Sequence, residues 1–489
     1  MRKLNVKERD LLNRVLTKPE LQPFFFRKLK GLHWFNALSD SGFFAPEKNP
    51  KPVQAKEVGY INIPNWPVTE YLVITSEELS NPENEQYAKK FIELTRRITE
   101  SARIEKYSNY RTWWQLAKVI RNIPIQLILP EDIDLIDYWL DDPFERGLIA
   151  EEIGEKWLPE LLDKTDEHSR QITLRLLDCL YKVKFVDKKI GSYETKEPSL
   201  RYDSYYAERI TKKVAKQSGL KLGLPTVELF QSRLVSILDK SNNDSWSSIW
   251  RRAIEEHPQN DSHNDTDSVI VAAYRDCLLG FVDYNAQTAK DYIQSLFNAQ
   301  YQVLQRVAIH ALDKRYLELK DLTDHVISPK YFHDNYRYEQ WHFLNHHYRE
   351  LSANQQKRVA EIIKGLSVTD EGGIASANEK AIAYSRTIWL SAIKDFDDKL
   401  TQLYNTYTNV AGAEPYHPDF SSYMEVGWVD HKSPIPIEHL LSLSADALVQ
   451  TINKDITLHG TKPFLIIRLI KNISKVKLNP FVGHIVKIW

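Results

Sequence analysis

The chain has 489 residues, 65 basic against 66 acidic side chains, a 42% hydrophobic share and only 16 glycines. A formal net charge of −1 gives no electrostatic footprint for nucleic acid or an anionic membrane as the main partner. Glycine stands at roughly half its usual share of about 7%, which disfavours turn-rich β folds and phosphate-loop proteins and favours helices.

In chain order, MRKLNVKERDLLNRVL is amphipathic and charged, unlike the apolar core of a signal peptide, and Val6–Leu16 reads as a helix. PFFFRKLKGLHWFNALSDSGFF follows. Here Phe24–Phe26, Leu29, Trp34, Phe35, Leu38 and Phe43–Phe44 form an aromatic cluster on two short helices, broken near Gly31 and ended by Gly42. Pro46–Pro67 is too rich in proline for a helix interior or a sheet ladder and reads as an extended connector.

Regular helices then begin. Tyr87, Phe91, Leu94 and Ile98 make an apolar stripe, and Trp113, Trp114, Leu116, Ala117 and Ile120 form the next helix, ended before Pro124. Further helices are expected at Glu131–Leu140, Phe144–Ile153, Lys156–Leu162 and His168–Val183. The polar stretch Lys184–Ser199 has no clear period and reads as a boundary or insertion. Helices resume at Tyr202–Ser218 and Val227–Leu238.

A central pair occupies Ser245–Leu279. Trp246, Ile249, Trp250, Ala253 and Ile254 recur at helical spacing, as do Val269, Ile270, Ala273, Tyr274, Cys277 and Leu278, with a polar loop between. Asp267 or Ser268 can cap the second helix. Beyond it lie helices at Thr288–Phe297, Val303–Leu312 and Glu379–Ala392, with Gly365–Asn378 as a loop. Asn405–Lys432 shows no helical period, and helices return with Ser433 and Pro434 at a start and Ser444 and Thr461 as later caps.

No sustained alternation of apolar residues marks a strand, so the expected class is all-α. The expected organisation is an N-terminal helical unit over 1–183 with the aromatic cap and proline-rich connector. A linker or insertion over 184–201, a central unit over 202–364 and a C-terminal unit over 365–489 follow. The cysteines, Cys179 and Cys277, sit on apolar helix faces, as buried free thiols do. No apolar run reaches the ~18 residues a membrane span needs, and a cytoplasmic location is expected.

The helix VLQRVAIHALDKR resembles the second helix of a HEAT repeat through Val303, Arg306, Ala308, Ala311 and Leu312. That resemblance implies an irregular HEAT-like helical-repeat solenoid, each helix pair burying its apolar face against its neighbours. Four segments in order, LKGLHWFNALSDSGFF, NIPNWPVTEYL, SSIWRRAIEEHPQN and SPIPIEHLLSLSADALV, are similar to helical regions of large bacterial antiphage-defence proteins, some carrying a STAND-type nucleotide-binding domain. Such a relation implies a sensor or partner-binding arm. No G-x-x-x-x-G-K-[ST] phosphate loop accompanies it.

Two stretches carry candidate chemistry. The central loop concentrates Glu255, Glu256, His257, Asp261, His263, Asp265 and Asp267, donors that could hold a divalent metal and activate a water. It lacks the helical H-E-x-x-H arrangement, and Asp and Asn also suit exposed loops. QWHFLNHHYRE places His342 and His346 one helical turn apart, a possible chelating pair beside His347, within aromatic residues that equally suit a partly buried helix. Gly372–Gly373 lacks a preceding strand and a following lysine, and reads as a turn. Basic stretches at Arg27–Lys30, Arg251–Arg252 and Ile210–Gly223 could touch phosphates, though acidic neighbours make them solvated faces.

Nucleophile signatures are absent: there is no G-x-S-x-G, and neither cysteine has an electropositive setting. The reading is a non-enzymatic helical scaffold or adaptor with a protein partner and no cofactor. A metal-dependent hydrolase or nuclease using the central loop, and a nucleic-acid-binding solenoid using the basic helices, stay open as alternatives.

Overall fold

Side chains at the helix starts supply the acceptors that the first turn lacks. Asn5 caps α1 (Val6–Thr17) in a reciprocal box with Glu8. Asn109, Asp166, Asp203, Asn285, Ser352, Asn378 and Asp397 accept in the same way at later helices. The computed structural model describes residues 3–423 apart from 58, 191–192, 261–264 and 368–377, together with 443, 444 and 447. Among these the chain is mostly helical, with two small antiparallel hairpins.

The amino-terminal cluster folds on α2 (Gln22–Lys28) and α3 (Phe35–Asp40), with Gly31 and Gly42 at φ of 97° and 72°, the left-handed region that a side chain resists. Trp34 is buried and meets Phe25 edge-on at 5.8 Å; Phe35 stacks on Phe91 at 4.9 Å and so ties the cluster to the next layer. Phe24 is the exception, turned outward and 72% exposed. The connector holds one exposed hairpin, β1 (Val53–Gln54) with β2 (Ile61–Asn62). Its two flanks are pinned by the Asn109 amide, which donates to the Pro50 and Pro64 carbonyls at 2.8 and 3.0 Å.

α4 (Val68–Ser76), α5 (Glu85–Ile104), α6 (Tyr110–Arg121) and α7 (Ile133–Trp139) form the next layer. The expected α5 stripe is buried, and Trp113 of α6 stacks on Trp139 of α7 at 6.1 Å. The helices expected at Phe144–Ile153 and Lys156–Leu162 are one continuous helix instead. α8 (Gly147–Ala150) passes through a π-helical segment, Glu151–Trp157, into α9 (Leu158–Leu162). Gly154, which could have ended a helix, serves packing: a Cβ there would lie 2.6 Å from the Ile210 side chain.

After α10 (Glu167–Leu180) the expected linker is a hairpin, β3 (Val183–Ile190) with β4 (Tyr193–Leu200), Val183 opposite Leu200. Its alternation is confined to the base, where Val183 and Phe185 are half-buried while Lys184 and Val186 point to solvent. Farther out the charged residues hide the strand period. Arg201, fully buried just past the hairpin, donates to the Cys179 and Asp137 carbonyls and pairs with the Asp137 carboxylate at 2.7 Å.

The remainder stacks helix on helix: α11 (Ser204–Leu222), α12 (Leu224–Ser241), the short α13 (Ser247–Trp250), α14 (Thr266–Tyr284), α15 (Ala286–Leu296) and α16 (Gln302–Lys314). Then come α17 (Tyr316–Leu319), α18 (Thr323–Val326), α19 (Arg337–His347), α20 (Ala353–Gly365), α21 (Glu379–Ser391) and α22 (Asp398–Ala411). α22 occupies the start of the stretch that showed no helical period; only Leu400 and Tyr404 of it are buried, too few to reveal one. One apolar cluster runs from Leu12 to Tyr404, continuous across 184–201 and 364–365, and Met1–Tyr423 forms one compact unit. In a second unit, Met424–Trp489, Ser444 Oγ accepts from the Ala447 amide, as an N-cap does; Ser433, Pro434 and Thr461 lie outside the described residues. Among the described residues no helix is long and apolar enough to cross a membrane.

Cys179 and Cys277 are free and buried, and burial pushes both thiols up to about 12. A thiol reagent at pH 8 is therefore expected to find no fast-reacting group in the native protein and two after unfolding. Rapid labelling of either cysteine in the folded chain would contradict this packing.

Candidate functional site

The helix expected to run through Trp246 and Ile254 stops at Trp250. Side chains of Asn260, Arg306 and Glu339 then take over the backbone of 252–255. The Asn260 amide pairs with both the N–H and the C=O of Ala253, at 2.9 Å each, and donates to the Glu255 carbonyl. Glu339 of α19 accepts from the Ile254 amide at 2.9 Å. Trp246 and Ile249 consequently stay on the surface, 63% and 49% exposed, and Trp250 is half-buried with its indole N–H on the Asn243 carbonyl.

Beneath this loop lies a set of buried charges. Arg306 of α16 and Glu339 are both withdrawn from solvent and paired bidentately at 2.8 and 3.0 Å, and Arg306 also donates to the Arg252 carbonyl. Arg251 and Arg275 both donate to the Ile254 carbonyl and to the Glu256 carboxylate, which lies half-exposed over them. Burial would raise the Glu256 carboxyl, but these two guanidinium charges outweigh it and hold it below the usual range. Glu256, a candidate donor in the sequence, is thus committed to two arginines.

Glu255 continues the polar chain. It accepts from the Tyr338 hydroxyl and pairs with Lys314 at 2.9 Å; Lys314 reaches Asp313 at 3.3 Å. Asp313 closes α16 and faces two adjacent histidines at the end of α19. His346 Nδ1 lies 2.7 Å, and His347 Nε2 3.2 Å, from Asp313 Oδ1. The opposite nitrogen of His347 lies 3.2 Å from Glu350. Burial acts to raise the Asp313 carboxyl, but hydrogen bonds from both imidazoles dominate and hold it well below the ordinary range. Burial lowers His347, and its bonds to Asp313 and Glu350 more than compensate, so its affinity for a proton is raised. His310, one turn earlier on α16, is pushed down to about 3 by burial and by the nearby Arg275 and Lys314 charges, and is a neutral imidazole.

The structure brings the two sequence candidates together around Tyr338, whose ring meets His257 at 5.7 Å and His342 at 4.3 Å. It does not make one donor set of them. His257 accepts the Gln259 amide on Nδ1 and packs on Phe420. His342 faces Asp419 at 3.3 Å, whereas His346 faces Asp313, so the i, i+4 pair is divided between two carboxylates. Asp265 is exposed at the start of α14, where its side chain makes no capping bond, and Asp267 accepts from the Ser268 amide. Asp261, His263 and Gly372–Gly373 lie outside the described residues.

The group overlooked in the sequence is Asp313 with the adjacent pair His346 and His347, whose donor atoms all fall within 4.8 Å of one another. Nothing in the local pattern links residues 33 apart on different helices; only the crossing of α16 and α19 does. The basic stretches are largely engaged: Arg27 with Glu70, Lys212 with Glu208, Lys216 with Asp283 and Arg251 with Glu256. Compared with known proteins, the chain matches no family model and no curated sequence.

Proposed function

We propose that this chain is an irregular HEAT-like scaffold that binds a protein partner, as a sensor or adaptor arm in bacterial antiphage defence. The observation carrying the reading is the pair Trp246 and Ile249, three residues apart and exposed, beside a segment in which Arg251 is buried. An exposed tryptophan on a firmly held loop is the kind of anchor that dominates protein interfaces. Part of the packing supports the scaffold: α14 lies on α15 and α15 on α16, consecutive helices stacked in order, while α11 packs on α14 across two intervening helices. The sequence resemblance supplies the defence context.

The test is affinity purification of the tagged full chain from its native host, beside a Trp246→Asp, Ile249→Asp variant. A protein in stoichiometric amount with the wild type, reduced at least tenfold with the variant while helicity is unchanged, is the expected result. Recovery of nucleic acid without a stoichiometric protein would favour the nucleic-acid solenoid, and recovery of neither would remove the scaffold reading.

A further inference from the structure

At the junction of α16 and α19, two imidazoles and a carboxylate converge with the geometry of an ion site. His346 Nδ1 and His347 Nε2 both address the same oxygen, Asp313 Oδ1. All three donors lie within 4.8 Å of one another, so one ion at an ordinary ligand distance of about 2.0–2.2 Å can reach each of them with small side-chain adjustments. The three differ in setting: the Asp313 side chain is buried, that of His347 is mostly buried, and that of His346 is 42% exposed. An ion here would be held from below and open to solvent on one side.

We infer that Asp313, His346 and His347 form a binding site for one zinc-class divalent ion. Three arguments carry it beyond the coincidence of donors. The first is the partner behind His347. Its Nδ1 faces the Glu350 carboxylate at 3.2 Å, which would hold the Nδ1 proton once an ion displaced the Nε2 proton that faces the Asp313 carboxylate and its backbone carbonyl. A carboxylate behind a ligating imidazole is the usual outer support of such a metal. Second, the ring is fixed: His347 stacks on Tyr316 at 4.1 Å and 13°, so the donor is oriented before any ion arrives. The third is charge. Lys314 reaches Asp313 at 3.3 Å and is itself paired with Glu255 at 2.9 Å, so these two carboxylates share one ammonium. That surplus of carboxylate favours a dication. Two nitrogens with one oxygen suit zinc and its neighbours rather than calcium or magnesium, which take oxygen.

His342 is not among the ligands. It lies one turn from His346, with ring centres 5.6 Å apart, but it faces Asp419. This separates the inferred site from the i, i+4 pair that the sequence offers.

The experiment uses the purified full chain, stripped with chelator, and zinc chloride titrated calorimetrically, with cobalt(II) absorption as a second reading. One equivalent should bind, with visible cobalt bands of a site carrying nitrogen donors. His346→Ala, a partly exposed position that leaves the fold intact by circular dichroism, should weaken zinc at least a hundredfold. Glu350→Gln, which keeps the shape behind His347, should weaken it about 10–100-fold. His342→Ala should bind as the wild type does. Absence of saturable one-equivalent binding in the folded wild type overturns the inference without any variant. So does a His346→Ala protein that retains wild-type affinity, or a His342→Ala protein that loses it. Partner capture does not enter these readings, so this inference and the scaffold proposal stand or fall separately.

Discussion

Glu339→Ala is expected to lower the free energy of unfolding by about 3–5 kcal/mol, because it leaves a buried guanidinium without its counter-charge. Arg306 has no exposed surface, and among the described residues its acceptors are Glu339 and the Arg252 carbonyl. The same substitution removes the acceptor of the Ile254 amide, and an orphaned buried donor costs about 1–3 kcal/mol in its own right. The two costs overlap, since both fall where the 251–260 loop meets α16 and α19, so they are not summed. Urea denaturation measures the change. The companion variant Arg306→Met, Glu339→Leu removes both charges together and should recover much of the loss, as paired replacement of buried ions does. A Glu339→Ala protein within about 1 kcal/mol of the wild type, against that 3–5 kcal/mol, would show that solvent reaches Arg306.

The second large effect belongs to the crossing of α11 and α14, where backbone meets backbone. A Cβ on Gly219 would sit 1.9 Å from the Cys277 carbonyl oxygen, and one on Gly280 would sit 2.0 Å from that of Lys216. Neither obstacle is a flexible side chain, so the helices themselves must separate. Alanine gains about 1 kcal/mol of helix propensity over glycine, while overpacking of this kind costs about 3 kcal/mol or more, so the net sign is destabilising. Gly219→Ala and Gly280→Ala should each lower stability by at least about 2 kcal/mol, and the double variant should fall short of the sum because both relax the same crossing. Gly365, at the end of α20 with nothing within 4 Å of its would-be Cβ, is the control. Gly365→Ala should be neutral or slightly stabilising, and equal behaviour at all three positions would refute the close crossing.

These two tests also bear on the HEAT-like pattern. The resemblance placed Arg306 and the small residues Ala308 and Ala311 on one helix as a packing signature. In the structure α16 is buried all round, Arg306 binds Glu339 rather than solvent, and a backbone-to-backbone helix crossing lies elsewhere, at Gly219 and Gly280. The shortage of glycine signalled a helical chain. Two of the few glycines present are spent bringing helices together.

What the sequence determined by itself is local. Apolar recurrence at 3.6 residues placed the buried faces of α5, α10, α12 and α14, because a helix needs no distant partner to define its face. The aromatic density around Trp34 determined a buried cluster, because closely spaced rings bury much apolar area by packing on one another, with Phe24 as the exception. Tertiary structure decided the rest. The pattern from Trp246 to Ile254 is helical in sequence, yet Glu339, Arg306 and Asn260 take its backbone groups and break the helix, a competition that no local period records. The 183–200 hairpin was hidden because only its base is packed, leaving too few alternating residues to read. Asp313 meets His346 and His347 for the same reason: donors on separate helices become one site only when α16 and α19 cross, and the crossing is set by the packing of whole helix faces.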